Sequence, residues 1–375
     1  MKKIGIYVHF PFCASKCAYC DFNSYANVSH MQEDYLKALV NEINYNSNKD
    51  VEIDTIFIGG GTPSIAKTGT IATIINAIKY NFNVLNNAEI TIECNPNSVN
   101  YAVLSEWKEV GINRISIGLQ TTNKNILKLI GRTHDKQDYI NAIDLIKSFG
   151  FKNINTDLMI GLPKQKSSDV KYAINLCDKL GCKHISCYSL ILEEKTLLYK
   201  LVNEGKIKLP KEEKVLGMYN TANTTLQKFG YSRYEVSNFA KDGYQCKHNI
   251  NCWKLHEYYG FGAGAHGYID NVRYYNYSKI EDYIVAINSS KSAIEAKEEL
   301  NNVDHYEEAI MLGLRTSKGV KISQLDKYLG ESFLNKYKES IDKYLAMSYI
   351  SITDYLAVTD SGISVLNQII LDFVM

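Results

Sequence analysis

The chain is predicted to be α/β: an incomplete (β/α)6-type parallel barrel followed by a smaller C-terminal helical, winged-helix-like domain. Three observations predict it. Strand-like apolar runs alternate with helical spacings through the first half. Polar residues collect at the ends of those runs. The alternation then stops, and a short helical unit with a β-hairpin begins near residue 303.

The strand-like runs lie at 4–9, 55–58, 89–93, 114–119, 153–160 and 184–190. Helical spacing fills the gaps at 35–45, 71–80, 104–110, 125–130 with 139–149, and 170–179. Strands joined by crossover helices must run parallel. A doubly wound sheet shares this alternation. However, Tyr7, residues 59–62, Glu93, Gln120, Asp157 and Tyr188 all fall near the C-terminal ends of their strands. In a barrel those ends form one mouth, where chemistry collects. Six units leave such a barrel open on one side.

Past about residue 195 the pattern loosens. A long helix is predicted over 212–229 and closed by Gly230, and residues 231–277 are rich in Tyr, Asn, Gly and His with little periodicity. Helices follow near 305–314, 321–329 and 332–346, then two short strands within 348–358 and a last helix near 360–372. The predicted domains are 1–200 (partial barrel), 201–300 (barrel extension) and 301–375 (winged-helix-like). With 42 basic and 41 acidic residues, the net charge of +1 offers no field for nucleic acid, so the last unit is read as a packing or partner surface. No apolar run reaches the roughly 18 residues of a membrane span. The apolar N-terminal stretch is broken by His9 and Pro11 and runs straight into cysteines, so it reads as a buried strand of a cytoplasmic protein rather than as a signal peptide.

Nine cysteines in a long chain suggest reduced thiols, some of them ligands, rather than a disulfide framework. Cys13, Cys17 and Cys20 have C-x3-C-x2-C spacing directly after the first strand. Three thiolates on a short loop hold three irons of a [4Fe–4S] cubane. The fourth iron is then free to chelate an amine and a carboxylate, which the methionine end of S-adenosylmethionine (SAM) supplies. A structural zinc site is the competing reading, but zinc wants four protein ligands and the adjoining loop has no fourth. The remaining six cysteines are scattered and read mostly as small buried hydrophobes.

Residues 59–64, Gly-Gly-Gly-Thr-Pro-Ser, let a ligand approach the backbone but lack the Gly-Lys-Ser/Thr ending of a phosphate loop. Glu93, Gln120 and Asp157 end or interrupt otherwise apolar strands. Each alone fits a satisfied structural polar group. Together, at one mouth, they read as partners for a ribose, an amine or a carboxylate. Arg132 offers a planar fork for a carboxylate.

The cysteine loop, together with residues 59–64, 93–96, 117–121 and 157–163, resembles the radical SAM enzymes related to oxygen-independent coproporphyrinogen III oxidase. The resemblance covers most of the chain, C-terminal domain included. It implies a barrel of the radical SAM kind and reductive cleavage of SAM to a 5′-deoxyadenosyl radical. It also implies Tyr7, Tyr19, Gly60, Gly61, Thr62, Glu93, Gln120, Arg132 and Asp157 as SAM contacts. Two branches of that family differ near the third cysteine. The decarboxylating oxidase has a further cysteine two residues on, where this chain has Phe22, and an extension before the first strand, which begins here at Ile4. Both departures point to the HemW-type heme chaperones.

That branch is marked by an H-N-x-x-Y-W motif tied to heme. Here it reads His248-Asn249-Ile250-Asn251-Cys252-Trp253, with Cys252 in the tyrosine position. The resemblance thus implies heme contact at His248, Cys252 and Trp253, since imidazole and thiolate both ligate heme iron. Residues 234–240 and 260–267 are similar to the same branch, with His266 a further histidine of interest. The expectation is a protein that binds a [4Fe–4S] cluster, SAM and heme and passes heme to an acceptor protein, a transient membrane-protein partner being one candidate. Its standing as an enzyme stays open. The alternatives are oxidative decarboxylation of coproporphyrinogen III to protoporphyrinogen IX, and a zinc-stabilised scaffold.

Overall fold

The computed structural model describes residues 1–374. In β1 (Lys2–Phe10), Ile4, Ile6, Val8 and Phe10 are buried on one face, while Gly5, Tyr7 and His9 line the other. The two-residue pair β2 (Phe12–Cys13) and β3 (Tyr25–Ala26) clips the ends of the cysteine loop together. Next come α1 (Gln32–Tyr45), β4 (Asn48–Gly60), α2 (Thr70–Asn81), β5 (Phe82–Cys94), α3 (Tyr101–Glu109) and β6 (Arg114–Gln120). Then α4 (Lys124–Leu129), α5 (Lys136–Ser148), β7 (Asn153–Ile160), α6 (Ser167–Lys179) and β8 (His184–Ser189) complete the first half.

The six strands pair in parallel in the order β1-β4-β5-β6-β7-β8. Their β-branched residues are buried on both faces, as parallel sheets require. Helices seal the outer face through apolar stripes, such as Ile71, Ile74, Ile75 and Ile78 of α2. β4 and β5 begin well before their apolar centres, at Asn48 and Phe82. Asn83 and Asn86 mask this extension in the sequence, because there backbone pairing rather than burial makes the strand.

After β8 come α7 (Leu197–Asn203), α8 (Glu212–Lys228), β9 (Ser232–Arg233), β10 (Asn238–Ala240), α9 (Lys247–Trp253), β11 (Tyr258–Phe261), β12 (His266–Ile269), β13 (Val272–Asn276), α10 (Ile280–Ser290) and β14 (Ile294–Glu299). Residues 231–277, which show little periodicity, carry five short strands and the helix α9. β11 is a seventh parallel strand beside β1, and antiparallel β12-β13-β14 and β10-β9 extend the two edges. Strands of two to five residues are too short for alternation to show. The twelve-stranded sheet ends on β14 and β9 without closing, so it is an incomplete barrel. β14, Ile-Glu-Ala-Lys-Glu-Glu, is a charged edge that discourages pairing with another chain.

The C-terminal unit comprises α11 (Asn302–Gly313), β15 (Val320–Lys321), α12 (Ile322–Leu329), α13 (Phe333–Lys336), α14 (Lys338–Ala346), β16 (Ile350–Ile352), β17 (Tyr355–Val358) and α15 (Leu366–Val374). It has its own apolar core around Ile310, Leu325, Phe333, Leu356, Ile369 and Phe373. The helix expected over 332–346 is two helices, because Tyr337 leaves helical geometry (φ −105°, ψ 25°). Val236 and Leu255 of the larger unit pack on this core, and the Val236 amide donates to the Arg315 carbonyl at 3.0 Å. No helix among the described residues is long and apolar enough to cross a membrane.

Candidate functional site

The cysteine loop leaves β1 at Pro11, whose carbonyl accepts from the Tyr25 amide at 2.7 Å. Its centre is tied down from two sides. The Ala18 amide donates to the Ile130 carbonyl at 2.9 Å, and the Leu198 amide donates to the Ala18 carbonyl at 2.7 Å. Cys13, Cys17 and Cys20 are free and only partly buried, unlike most of the other cysteines. They share the wall of a cavity of about 120 Å³ with Tyr19, Gly60, Gly61, Thr62, Glu93, Gln120, Arg132 and Asp157. The structure thus brings together eleven sequence-predicted site residues from the cysteine loop, the ends of β4 to β7 and the segment after α4.

Cys13 Sγ lies 3.5 Å from Thr62 Oγ1, and Arg132 Nη1 lies 3.6 Å from Cys17 Sγ. The guanidinium is held by bonds from Nη2 to Asn95 Oδ1 (2.8 Å) and to the Gly118 carbonyl. A Cβ at Gly118 would lie 2.7 Å from that Nη2, so only glycine fits beneath it. No three His, Cys, Asp or Glu groups among the described residues are arranged to hold a single metal ion. The thiols surround a space instead of converging on a point. That donor set fits a cubane, in which each thiolate takes its own iron, better than a tetrahedral zinc site.

Glu93 Oε2 accepts from the Gly60 amide at 3.2 Å. Burial and then the Asp157 charge push the Glu93 carboxyl up to about 7, against the Gly60 hydrogen bond and the positive Arg114. Gly60 itself has φ 104°, and a side chain there would collide with the His9 ring. Gln120 takes a left-handed φ of 64°, a strained conformation for a residue with a Cβ. The β6–β7 register slips at the same place, so the strand ends by turning the Gln120 side chain into the cavity. Asp157 accepts from Asn155 Nδ2 (2.7 Å) and Ser116 Oγ (3.3 Å), while burial raises its carboxyl above the usual range.

Tyr7 stands one layer back. His9 Nε2 is 2.7 Å from the Asn23 carbonyl and so carries its proton, which leaves Nδ1 to accept from the Tyr7 hydroxyl at 2.8 Å. Sequence reasoning missed His9, which backs the glycine turn, and Asn95, which orients Arg132. It also missed the inner chain of Asn155, His184 and Tyr234. His184 Nδ1 is 2.6 Å from Asn155 Oδ1, and His184 Nε2 is 2.7 Å from the Tyr234 hydroxyl. A signal was available, since Ser116, Asn155 and His184 are odd polar residues inside apolar strands.

A second cavity of about 410 Å³ adjoins the first, shares Glu93, Gln120 and Asp157 with it, and runs down past Phe57 and Arg114 to Asn249. Asn249 lies on α9, whose N-terminus is anchored from inside the barrel. The Glu89 carboxylate accepts from the Lys247 and His248 amides, each at 3.1 Å. His248 is buried, with Nδ1 3.0 Å from Thr55 Oγ1 and its ring 5.3 Å from that of Phe57. Burial and the Arg114 charge hold its imidazole down at about 4. Burial pushes the Cys252 thiol up to about 12. Of the H-N-x-x-x-W segment only Asn249 reaches the cavity wall; His248, Cys252 and Trp253 are not brought to the cysteines.

Comparison with known proteins gives consistent matches. The Radical SAM superfamily model matches residues 7–177, and the HemN C-terminal domain model matches residues 300–365. The chain is 37% identical over 339 residues to the heme chaperone HemW of Bacillus subtilis, covering 90% of this chain and 87% of that protein. It is 34% identical over 375 residues to the heme chaperone HemW of Lactococcus lactis, covering 100% and 98%. Its fold matches that of coproporphyrinogen III oxidase (HemN) from Escherichia coli, a radical SAM enzyme, with a TM-score of 0.86 at 22% identity, covering 99% of this chain and 90% of that one.

Proposed function

The chain belongs to the HemW family within the radical SAM superfamily, and from that premise we propose that it is a heme chaperone, binding heme and handing it to an acceptor protein. Membership of the superfamily implies a [4Fe–4S] cluster and SAM. In this reading Cys13, Cys17 and Cys20 hold the cluster, and SAM sits against Thr62, Glu93, Gln120, Arg132 and Asp157. When bound, the pair supplies one-electron chemistry.

The chain's own residues have definable tasks. Arg132, beside Cys17, offsets the negative charge of a thiolate-held cluster. Gly60 and Gly61 let the turn pack against the His9 ring and the Phe10 and Phe12 carbonyls, which sets their backbone in the cavity wall. Asp157 and Glu93 offer acceptors in a space shielded from water, where a hydrogen bond to a charged group contributes about 1.5–3 kcal/mol. Tyr7, through His9, holds the glycine turn. For His248 to ligate heme iron from its ring, α9 must loosen its hold on Thr55 and Glu89. The recipient is an acceptor protein met in the cytoplasm, a membrane-bound respiratory protein among the candidates.

The observation that carries the reading is Phe22 at the cavity wall, two residues past Cys20, where the oxidase has a further thiol. The fold is common to both activities, so that side chain and the family relationship decide between them. The test is anaerobic incubation of the iron-reconstituted protein with coproporphyrinogen III, SAM and a reductant, with hemin binding followed in parallel. Hemin uptake without protoporphyrinogen formation is expected. Multiple turnovers of coproporphyrinogen III would overturn the chaperone reading in favour of the oxidase.

A further inference from the structure

Helix α6 ends in a turn that sets two thiols against each other. Gly181 takes a left-handed φ of 82°. Its amide donates to the Asp178 carbonyl at 2.9 Å, and the Cys182 amide donates to the Cys177 carbonyl at 3.1 Å. These paired bonds make a Schellman cap, which packs the third-last helical residue against the second residue after the cap. Here both positions are cysteines, Cys177 and Cys182, and both are fully buried.

Two apolar residues would fill such a cap equally well, but the surroundings of these sulfurs are polar. The Tyr139 hydroxyl lies 3.4 Å from each sulfur, and Thr156 Oγ1 donates to Cys182 Sγ at 3.3 Å. Hydroxyls aimed at a sulfur favour its thiolate. The hydrogen bond from Cys177, helped against burial by those from Thr156 and Tyr139, brings the Cys182 thiol down to about 7. Burial instead pushes Cys177 well up, and Cys187 and Cys246 up to about 12. Lys147 Nζ holds the Leu180 carbonyl at 3.1 Å and sets a positive charge over the same turn. A thiolate packed on a protonated thiol is the arrangement from which a disulfide closes.

We propose that Cys177 and Cys182 are a peroxide-responsive dithiol that closes to a disulfide, separate from the cluster cysteines. The Cys182 thiolate attacks one peroxide oxygen and the O–O bond breaks. Cys182 becomes a sulfenic acid, and the departing hydroxide takes up the proton that Cys182 gave away, forming water. The Cys177 sulfur then displaces the sulfenic oxygen. The S–S bond forms, the S–O bond breaks, and the Cys177 proton leaves with the oxygen as a second water. The two thiols lose two electrons and two protons, and one peroxide is reduced to two waters. Thr156 lies between Asn155 and Asp157 on β7 and faces the other side of the sheet, so the pair sits behind the cavity wall. Both thiols are covered, so a small neutral oxidant reaches them as the turn frays. The device does not depend on the heme reading.

The test exposes the full-length, cluster-loaded protein to increasing hydrogen peroxide. Free thiols are then alkylated under denaturing conditions and the tryptic peptides mapped by mass spectrometry. Trypsin cuts after Lys171, Lys179 and Lys183, so the bridge would link peptides 172–179 and 180–183. That linked pair is expected in most chains and should vanish on treatment with dithiothreitol. Cys13, Cys17 and Cys20 lie in other peptides, so loss of the cluster does not obscure the result. Cys182→Ser, which removes the attacking thiolate, is expected to slow loss of the Cys177 thiol about tenfold. Recovery of both wild-type cysteines alkylated, or singly oxidised with no linked pair, would overturn the proposal without recourse to any variant. Loss of the Cys177 thiol at an unchanged rate in Cys182→Ser would overturn it as well.

Discussion

At the scale of single residues, the site depends on groups whose surroundings do not match their ordinary chemistry. Cys17 sits beside a guanidinium that is itself clamped by Asn95 and Gly118. Cys17→Ser is predicted to abolish the brown chromophore of anaerobically prepared protein and to strip most of its iron, as read by absorbance and metal analysis. Absorbance retained near the wild-type level would contradict the ligand assignment. Much of this scale was legible. Cys13, Cys17 and Cys20 announce themselves by spacing, and Glu93 and Asp157 by being charged within apolar strands. The left-handed turn at Gln120 and the His9–Tyr7 bond were not legible, because each depends on a neighbour brought close only by the fold.

At the scale of elements, two buried carboxylates act as fasteners. Glu42 of α1 accepts from the Gly262 amide (2.8 Å), from Asn276 Nδ2 (2.6 Å) and from the Tyr283 hydroxyl (2.7 Å), joining a helix to β13, α10 and the turn after β11. Burial outweighs these bonds and pushes its carboxyl up to about 7. A raised acid favours the folded state at low pH, and that contribution is lost as pH climbs through 7. The loss amounts to up to about 3 kcal/mol. Thermal unfolding between pH 5 and 8 should therefore show wild-type stability declining more steeply than that of Glu42→Gln; parallel curves would refute this.

Glu89 fastens α9 in a similar way. Without its charge the two first-turn amides lose a charge-assisted acceptor. Glu89→Gln should therefore speed hydrogen exchange at residues 247–250 about tenfold, and unchanged protection would show α9 to be held by packing alone. The parallel strands and their helices could be read from periodicity. β9 to β13 and α9 could not, since elements this short are set by the sheet edge or carboxylate they meet and not by their own pattern.

At the scale of the whole molecule, the open sheet and the C-terminal unit keep separate apolar cores, joined where Val236 and Leu255 cross over. The sequence pointed to an incomplete barrel and a smaller helical unit because the strand–helix alternation stops and a different pattern starts. It marked 201–300 as an extension of the barrel, but not the short antiparallel strands that carry both sheet edges, nor that the H-N-x-x-x-W segment packs on Thr55 and Glu89 instead of meeting the cysteines. The heme-marked motif and the cluster loop are therefore separate parts, with an apolar cavity between them. Heme carriage is tested by an anaerobic hemin titration of the cluster-loaded protein. Saturation at about one heme per chain with the cluster spectrum intact is expected, whereas absorbance that rises without saturating, as for free hemin, would contradict heme carriage.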